Sequence, residues 1–334
     1  MDVWPLPRIS FRGLSSIDEK RPVALMTQPS AWAIVSQLVK LPLVIQAEPT
    51  RNDSEFVNYL AANLPAPVEA IYAIGEGSLI DVAKAVASAN NIPLIVIPSA
   101  ISSEAPFTPS ALVRENGKLT ATPTGSADEV IIDFDLIKRA SPDVRAAGIV
   151  ELLSIVSGLL DWGYSAQKGK FTPGTKPAPW AMGIAAGIAS QALKNAAAIG
   201  KGDSDALHLL VDLLCMMVQL DSQLGHHRAS QGIEHIFAES VNADPGVSHG
   251  ERVAPGILIA SALYNKDVPG MRAALESAGV RLDRLKADDI RAAVNALPDT
   301  VKKNDAPYSI LNDLAPNAPE LEQALNKSTL FATK

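Results

Sequence analysis

The chain has 334 residues, 47% hydrophobic and 19% charged, and a formal net charge of -7. That length exceeds one small core and points to two domains. The acidic balance and the lack of any basic block argue against a nucleic-acid or anionic-membrane partner.

Cys215 is the single cysteine, which excludes an intrachain disulfide. Inside LLVDLLCMMVQL it reads as a small buried hydrophobe in a reduced compartment. The opening MDVWPLPRISFRG has no basic segment followed by an apolar run, so it does not read as a signal peptide. No window reads as an uninterrupted membrane span, and a cytoplasmic location is expected.

Residues 20–135 alternate apolar runs with helical ones. PVALMT (22–27), LPLVIQA (41–47), EAIYAIG (69–75) and IPLIVIPS (92–99) read as strands. SAWAIVSQLVK (30–40), SEFVNYLAANL (54–64) and GSLIDVAKAVASAN (77–90) read as the helices between them. The strands are apolar on both faces, as in a parallel sheet covered by helices on both sides. TPSALVRENGKLTATPT is a hairpin turning at Glu115-Asn116-Gly117, and EVIIDFDLI follows as another strand.

Ser141-Pro142-Asp143 is a helix start, with an N-cap serine, a first-turn proline and an acidic residue at the positive end. From there helices are expected over 142–168, 178–199, 204–223, 229–242 and 250–264, with shorter ones beyond and a proline-rich loop at 168–179. The expectation is a Rossmann-like α/β domain over 1–140 and an all-α domain over 141–334.

Two places carry chemistry. Gly75-Glu76-Gly77-Ser78 joins a strand to a helix, where open backbone N–H groups and the helix dipole suit a phosphate. The same turn could serve tight packing alone, and Glu76 opposes a pyrophosphate unless it points away. The second place is GHHRASQGIEHIFAESVNADPGVSHGERVAPG (225–256), which holds four of the five histidines. His235 and His249 lie where helices begin, so their imidazoles can meet at one spot, as a divalent metal requires. Glu151 sits beside the apolar stripe Ile149, Leu152, Leu153, Val156, Leu159, Leu160 and is a candidate third ligand. A solvated first-turn glutamate or an ion pair would leave the same pattern. His208, His226 and His227 read as surface or capping imidazoles.

Taken in order, GEGSLIDVAK, IPLIVIPSAISSEAP, AAGIVELLSIVSGLLDW, HHRASQGIEHIF and SHGERVAPG resemble motifs of the superfamily of iron-containing alcohol dehydrogenases, glycerol dehydrogenases, glycerol-1-phosphate dehydrogenases and dehydroquinate synthases. The LLDW ending is most similar to the glycerol-1-phosphate dehydrogenase branch. The resemblance implies a dehydroquinate synthase-like fold. It implies a divalent metal, Zn or Fe, held by Glu151, His235 and His249. It also implies NAD or NADP held by Gly75, Gly77, Ser78, Asp81, Ser99 and Ser102, with the nicotinamide reaching the metal across the domain cleft. Gln28 stands where many members carry an aspartate for the adenosine ribose, which admits NADP as well as NAD. Glu104 and Arg228 are the implied substrate-side residues, though Arg228 could equally pair structurally.

The chain departs from the family in its glutamates. Glu151 replaces the usual dehydrogenase aspartate, Glu104 replaces the aspartate of STDAP, and Glu76 replaces the middle glycine of the cofactor turn. Each of the first two extends a carboxylate by one methylene, about 1.5 Å. The implied function is a homo-oligomeric, metal-dependent NAD(P)-linked oxidoreductase acting on a small polyol or polyol phosphate. A carbocycle-forming lyase of the synthase type and a non-catalytic homologue are the alternatives.

Overall fold

The structure, a computed structural model, describes residues 3–145, 147–244 and 246–331. It divides into two compact units, Asp2–Arg145 and Ala146–Lys334.

The strands of the first unit are β1 (Arg8–Phe11), β2 (Val23–Thr27), β3 (Leu43–Ala47), β4 (Ala70–Gly75), β5 (Leu94–Pro98), β6 (Ser110–Glu115), β7 (Lys118–Pro123) and β8 (Glu129–Ile132). Its helices are α1 (Pro29–Val35), α2 (Ser54–Ala62), α3 (Ser78–Asn90), α4 (Phe134–Ile137) and α5 (Pro142–Arg145). Six strands form one parallel sheet in the order β1-β8-β5-β4-β2-β3. Every residue of β2, β4, β5 and β8 is buried, which is why these strands read as mostly apolar runs, with Thr27 and Glu129 the polar residues buried at their ends.

The two edges differ from that reading. β3 is as apolar as the others, yet Leu43, Val44 and Ile45 are 41%, 40% and 39% exposed because a strand flanks β3 on one side only. β1 carries no apolar run and was not expected. Ion pairs and a hydrogen bond fix it instead, from Arg8 (2.6 Å), Ser10 (2.5 Å) and Arg12 (3.3 Å) to Glu129 of β8. The hairpin β6–β7 turns at Asn116 and Gly117, whose φ of 50° and 82° are the left-handed values such a two-residue turn needs. The strand expected over EVIIDFDLI stops at Ile132, and Asp133 caps α4 by accepting from the amides of Asp135 and Leu136.

The second unit is helical: α6 (Ile149–Lys168), α7 (Pro179–Lys201), α8 (Ser204–Leu224), α9 (Ile233–Ser240), α10 (His249–Leu263), α11 (Val268–Ser277), α12 (Ala287–Lys303) and α13 (Pro319–Lys327). The helix expected over 142–168 is two helices, α5 and α6, and Gly148 precedes the second. By length and composition α6 and α8 could cross a membrane, contrary to the sequence expectation. Their apolar windows are 67% and 50% buried inside the protein, and α6 buries Glu151 and Asp161, so both read as core helices. Cys215 of α8 is buried, and burial pushes its thiol up to about 12.

Candidate functional site

Three side chains expected as ligands meet in the second unit. Glu151 lies in the first turn of α6, His235 in the first turn of α9, and His249 opens α10 after the N-cap Ser248. Nε2 of His235 is 3.3 Å from one Glu151 oxygen, and Nε2 of His249 is 3.4 Å from the other. One donor atom from each of the three lies within 4.8 Å of the others.

The three donors are close enough together to hold a cation. Charge-assisted N–H···O bonds close to about 2.7–2.9 Å, so these contacts are stretched. Ligands held at ~2.0–2.1 Å around a tetrahedral ion stand about 3.3–3.4 Å apart. Burial works against charge on Glu151, but the hydrogen bond from His235 and the nearby imidazoles hold its carboxyl below the usual range. Burial likewise disfavours an imidazolium at His235, and its bonds to Glu151 and Glu234 outweigh that and raise it well above the ordinary value. The His249 side chain is 49% exposed against 15% for His235 and 4% for Glu151, so the site opens on the His249 side.

The start of α9 is wedged between α6 and α10. A Cβ on Gly256 would fall 2.7 Å from Cα of Glu234, so only glycine lets α10 approach α9 there. Asp161 of α6 accepts from the Ile233 amide (2.8 Å) and from the Tyr264 hydroxyl (2.5 Å). Burial, with Glu234 close by, pushes its carboxyl up to about 7.

Arg228, expected on the substrate side, is 6% exposed and donates to the carbonyl oxygens of Asp161 (3.2 Å) and Tyr308 (2.9 Å). It serves as a structural clamp. His227 and Ser230 bond to Asp221 beyond the C-terminus of α8, and the His226 ring packs edge-on against Trp162. Neither histidine joins the cluster. Sequence reading overlooked Glu234 and Asp161; the signal for the first was its position directly before His235.

In the first unit the glycine turn follows β4, in the middle of the sheet. The chain runs from β2 outward to β3 and returns to β4 on the other side of β2, so a topological switch point lies between β2 and β4. Gly77 has φ 60° and ψ −137°, which suits glycine alone, and a Cβ there would meet nothing within 4 Å. Its backbone and that of Ser78, the first residue of α3, can thus approach a ligand closely. Ser99 follows β5, the next strand, and its amide donates to Gly75 O (3.0 Å).

Three expected cofactor residues are engaged within the protein. The Gln28 amide accepts from the Glu76 N–H and donates to the Glu76 carbonyl, both at 3.3 Å, so it braces the turn. Ser102 hydrogen-bonds the Glu76 carboxyl, which burial holds above its usual range. Asp81 is 7% exposed and accepts from the Leu112 amide of the hairpin.

Lys84, one turn after Asp81, is 2% exposed and donates to Thr108 Oγ1 (2.6 Å) and Ser110 O (2.9 Å). Burial pushes its ammonium from 10.5 down to about 8, against the charges of Asp81 and Glu104. Glu104 therefore lies within electrostatic reach of Lys84. Between those two pH values the unfolded chain holds a proton that the folded chain has released, so folding stability rises with pH across the window. The expected gain is on the order of 3 kcal/mol. Denaturant unfolding below pH 8 and near pH 10.5 should show this rise for the parent relative to Lys84→Met. A difference flat with pH would defeat the assignment.

Residues 18–141 match the iron-containing alcohol dehydrogenase family model. Among relatives, the glycerol-1-phosphate dehydrogenase [NAD(P)+] of Thermococcus kodakarensis is 26% identical over 212 residues, covering 63% of this chain and 59% of that protein. The match thus spans about three-fifths of that relative's length. The enzyme of the same name from Archaeoglobus fulgidus is 25% identical over 316 residues, covering 88% of this chain and 89% of that protein. In fold the chain is similar to a probable glycerol dehydrogenase from Sinorhizobium meliloti 1021, with a TM-score of 0.68, 15% identity and 99% of each chain covered. The chain thus has the dehydroquinate synthase-like fold of the iron-containing alcohol dehydrogenase superfamily and matches that family's sequence model over residues 18–141.

Proposed function

We propose that this protein is a divalent-metal-dependent, NAD(P)-linked oxidoreductase acting on the hydroxyl of a small polyol or polyol phosphate, as the named glycerol-1-phosphate dehydrogenases do. The observation that carries the reading is the Glu151–His235–His249 set, in which one donor atom from each residue lies within 4.8 Å of the others. The two histidines and one carboxylate leave positions open for substrate oxygen. A bound divalent ion supplies Lewis-acid polarisation of that oxygen, and the nicotinamide supplies the hydride acceptor.

The chain's own residues do the rest. The amides at Gly77 and Ser78 present donors for a pyrophosphate at the start of α3. Gln28, uncharged, leaves no carboxylate to repel a 2′-phosphate. The exposed flank at His249 is the approach for substrate. Glu104 is the acidic residue proposed to orient a substrate hydroxyl.

The test is elemental analysis of protein purified without chelator, followed by NAD(P)H assays with glycerol, glycerol-1-phosphate and the corresponding ketones. Stoichiometric Zn or Fe and steady cofactor turnover are expected. Absence of metal, unrestored by added Zn or Fe, would sink the reading. Phosphate release with no net cofactor change would assign the chain to the synthase-type lyases instead. His249→Ala removes a half-exposed ligand at a helix start, so helical content should persist. Metal retention and turnover should fall by more than the ~10–100-fold that losing an orienting partner costs. Unchanged turnover would defeat the ligand assignment.

A further inference from the structure

The buried carboxylate next to the cluster has no role in the reading so far. Glu234 is 0% exposed, and its Oε1 lies 2.8 Å from Nδ1 of His235 while accepting the Gly232 amide at 2.7 Å. Its other oxygen, Oε2, is buried without a hydrogen-bond partner among the described residues. A buried carboxylate that leaves half its capacity unmet is costly. Something must hold it there, and two close approaches do. The Glu234 backbone is pinned by Gly256, and Oε2 would lie 2.9 Å from a Cβ at Gly232. The side chain is held away from water, and its one side-chain contact among the described residues is the imidazole.

We propose that Glu234 is a positioning residue for the metal centre: it accepts the Nδ1–H of His235 and so fixes the tautomer and ring orientation that turn the Nε2 lone pair toward Glu151 and His249. A neutral imidazole has one donor and one acceptor nitrogen, and the partner of the first decides which face the second presents. Without Glu234 the ring could take the other tautomer, with a proton on Nε2 where a ligand lone pair is needed. The carboxylate also brings a second negative charge close to the centre and raises the basicity of the ligating nitrogen. This inference rests on reading the cluster as a metal centre.

The experiment is Zn(II) titration of the whole chain against a competing chelator for the parent, Glu234→Gln and Glu234→Ala. The visible spectrum of each Co(II)-loaded protein and a far-UV circular dichroism check on folding accompany it. The Ala variant should bind Zn(II) about 10–100-fold more weakly, with an altered Co(II) spectrum. The Gln variant should lie between, because its amide oxygen can still accept Nδ1–H while the charge is gone. Parent-like affinity in both variants would overturn the proposal. Should Glu234→Ala fail to fold, Glu234→Gln decides: unchanged affinity overturns the proposal, and weakened affinity supports it. A parent that binds no divalent ion would overturn the metal reading itself, an outcome distinct from a parent that binds and variants that bind equally well.

Discussion

Glu151→Leu should lose the bound metal while still folding. Glu151 supplies the one carboxylate of the three-residue set and contacts both imidazoles, at 3.3 and 3.4 Å. Leucine removes the anionic ligand but suits the setting, since Ile149, Leu152 and Leu153 beside it are each 0% exposed. Removing one partner of a buried charge pair commonly costs about 3–5 kcal/mol, because the charge left behind is unpaired. That cost is reduced here, because His235 keeps Glu234 as a partner at 2.8 Å.

Metal removal separates these effects. A ligand that binds only the folded state at about 100 times its Kd adds about 2.7 kcal/mol. Zn(II) should therefore raise the melting temperature of the chelator-treated parent and leave that of Glu151→Leu unmoved. Thermal melts with and without metal, alongside elemental analysis, check this. A variant that retains stoichiometric metal, or whose melting temperature responds to Zn(II) like the parent's, would remove Glu151 from the ligand set.

The legible parts of this protein were those where one residue type carries one physical demand. The central strands could be read because a strand buried on both faces must be apolar throughout. The hairpin could be read because Asn116-Gly117 supplies two left-handed residues in succession. The clustering of His235 and His249 could be read because histidine is scarce here and these two stand at helix starts.

What escaped was decided by the partner rather than the residue. β1 exists because Glu129 gathers Arg8, Ser10 and Arg12, and none of the four is a strand signal. Gln28, Asp81 and Arg228 sit in motif positions that suggest a ligand, yet each is tied to backbone inside its own unit. Glu234 shows the converse, a group proposed to shape the site whose only sequence signal is its place directly before His235, and whose contact appears when Gly232, Gly256 and His235 are seen around it.

Gly232→Ala should be a strongly disruptive single-methyl change near the site. A Cβ there would lie 2.6 Å from Asp161 Oδ2, 2.8 Å from the Ser157 carbonyl carbon and 2.9 Å from Glu234 Oε2. The backbone at Gly232 has φ −129° and ψ −150°, extended values open to any residue, so the cost is steric. One obstacle is the α6 main chain, and the others are two buried carboxylates that cannot retreat into the core. Overpacking of this kind costs about 1–3 kcal/mol, occasionally more, and about 1 kcal/mol shifts the melting temperature of a unit this size by roughly 2–4 °C. A fall on the order of 10 °C is expected. Metal affinity should fall too, because pushing Glu234 aside turns His235.

Gly187→Ala in the exposed part of α7 is the control. A Cβ there would meet nothing within 4 Å, and alanine is the better helix former by about 0.8–1.0 kcal/mol, so its melting temperature should rise. The two substitutions add the same atom and should move stability in opposite directions. If Gly232→Ala melted with the parent and bound Zn(II) as tightly, the close seating of α9 against α6 would not be what holds His235 in place.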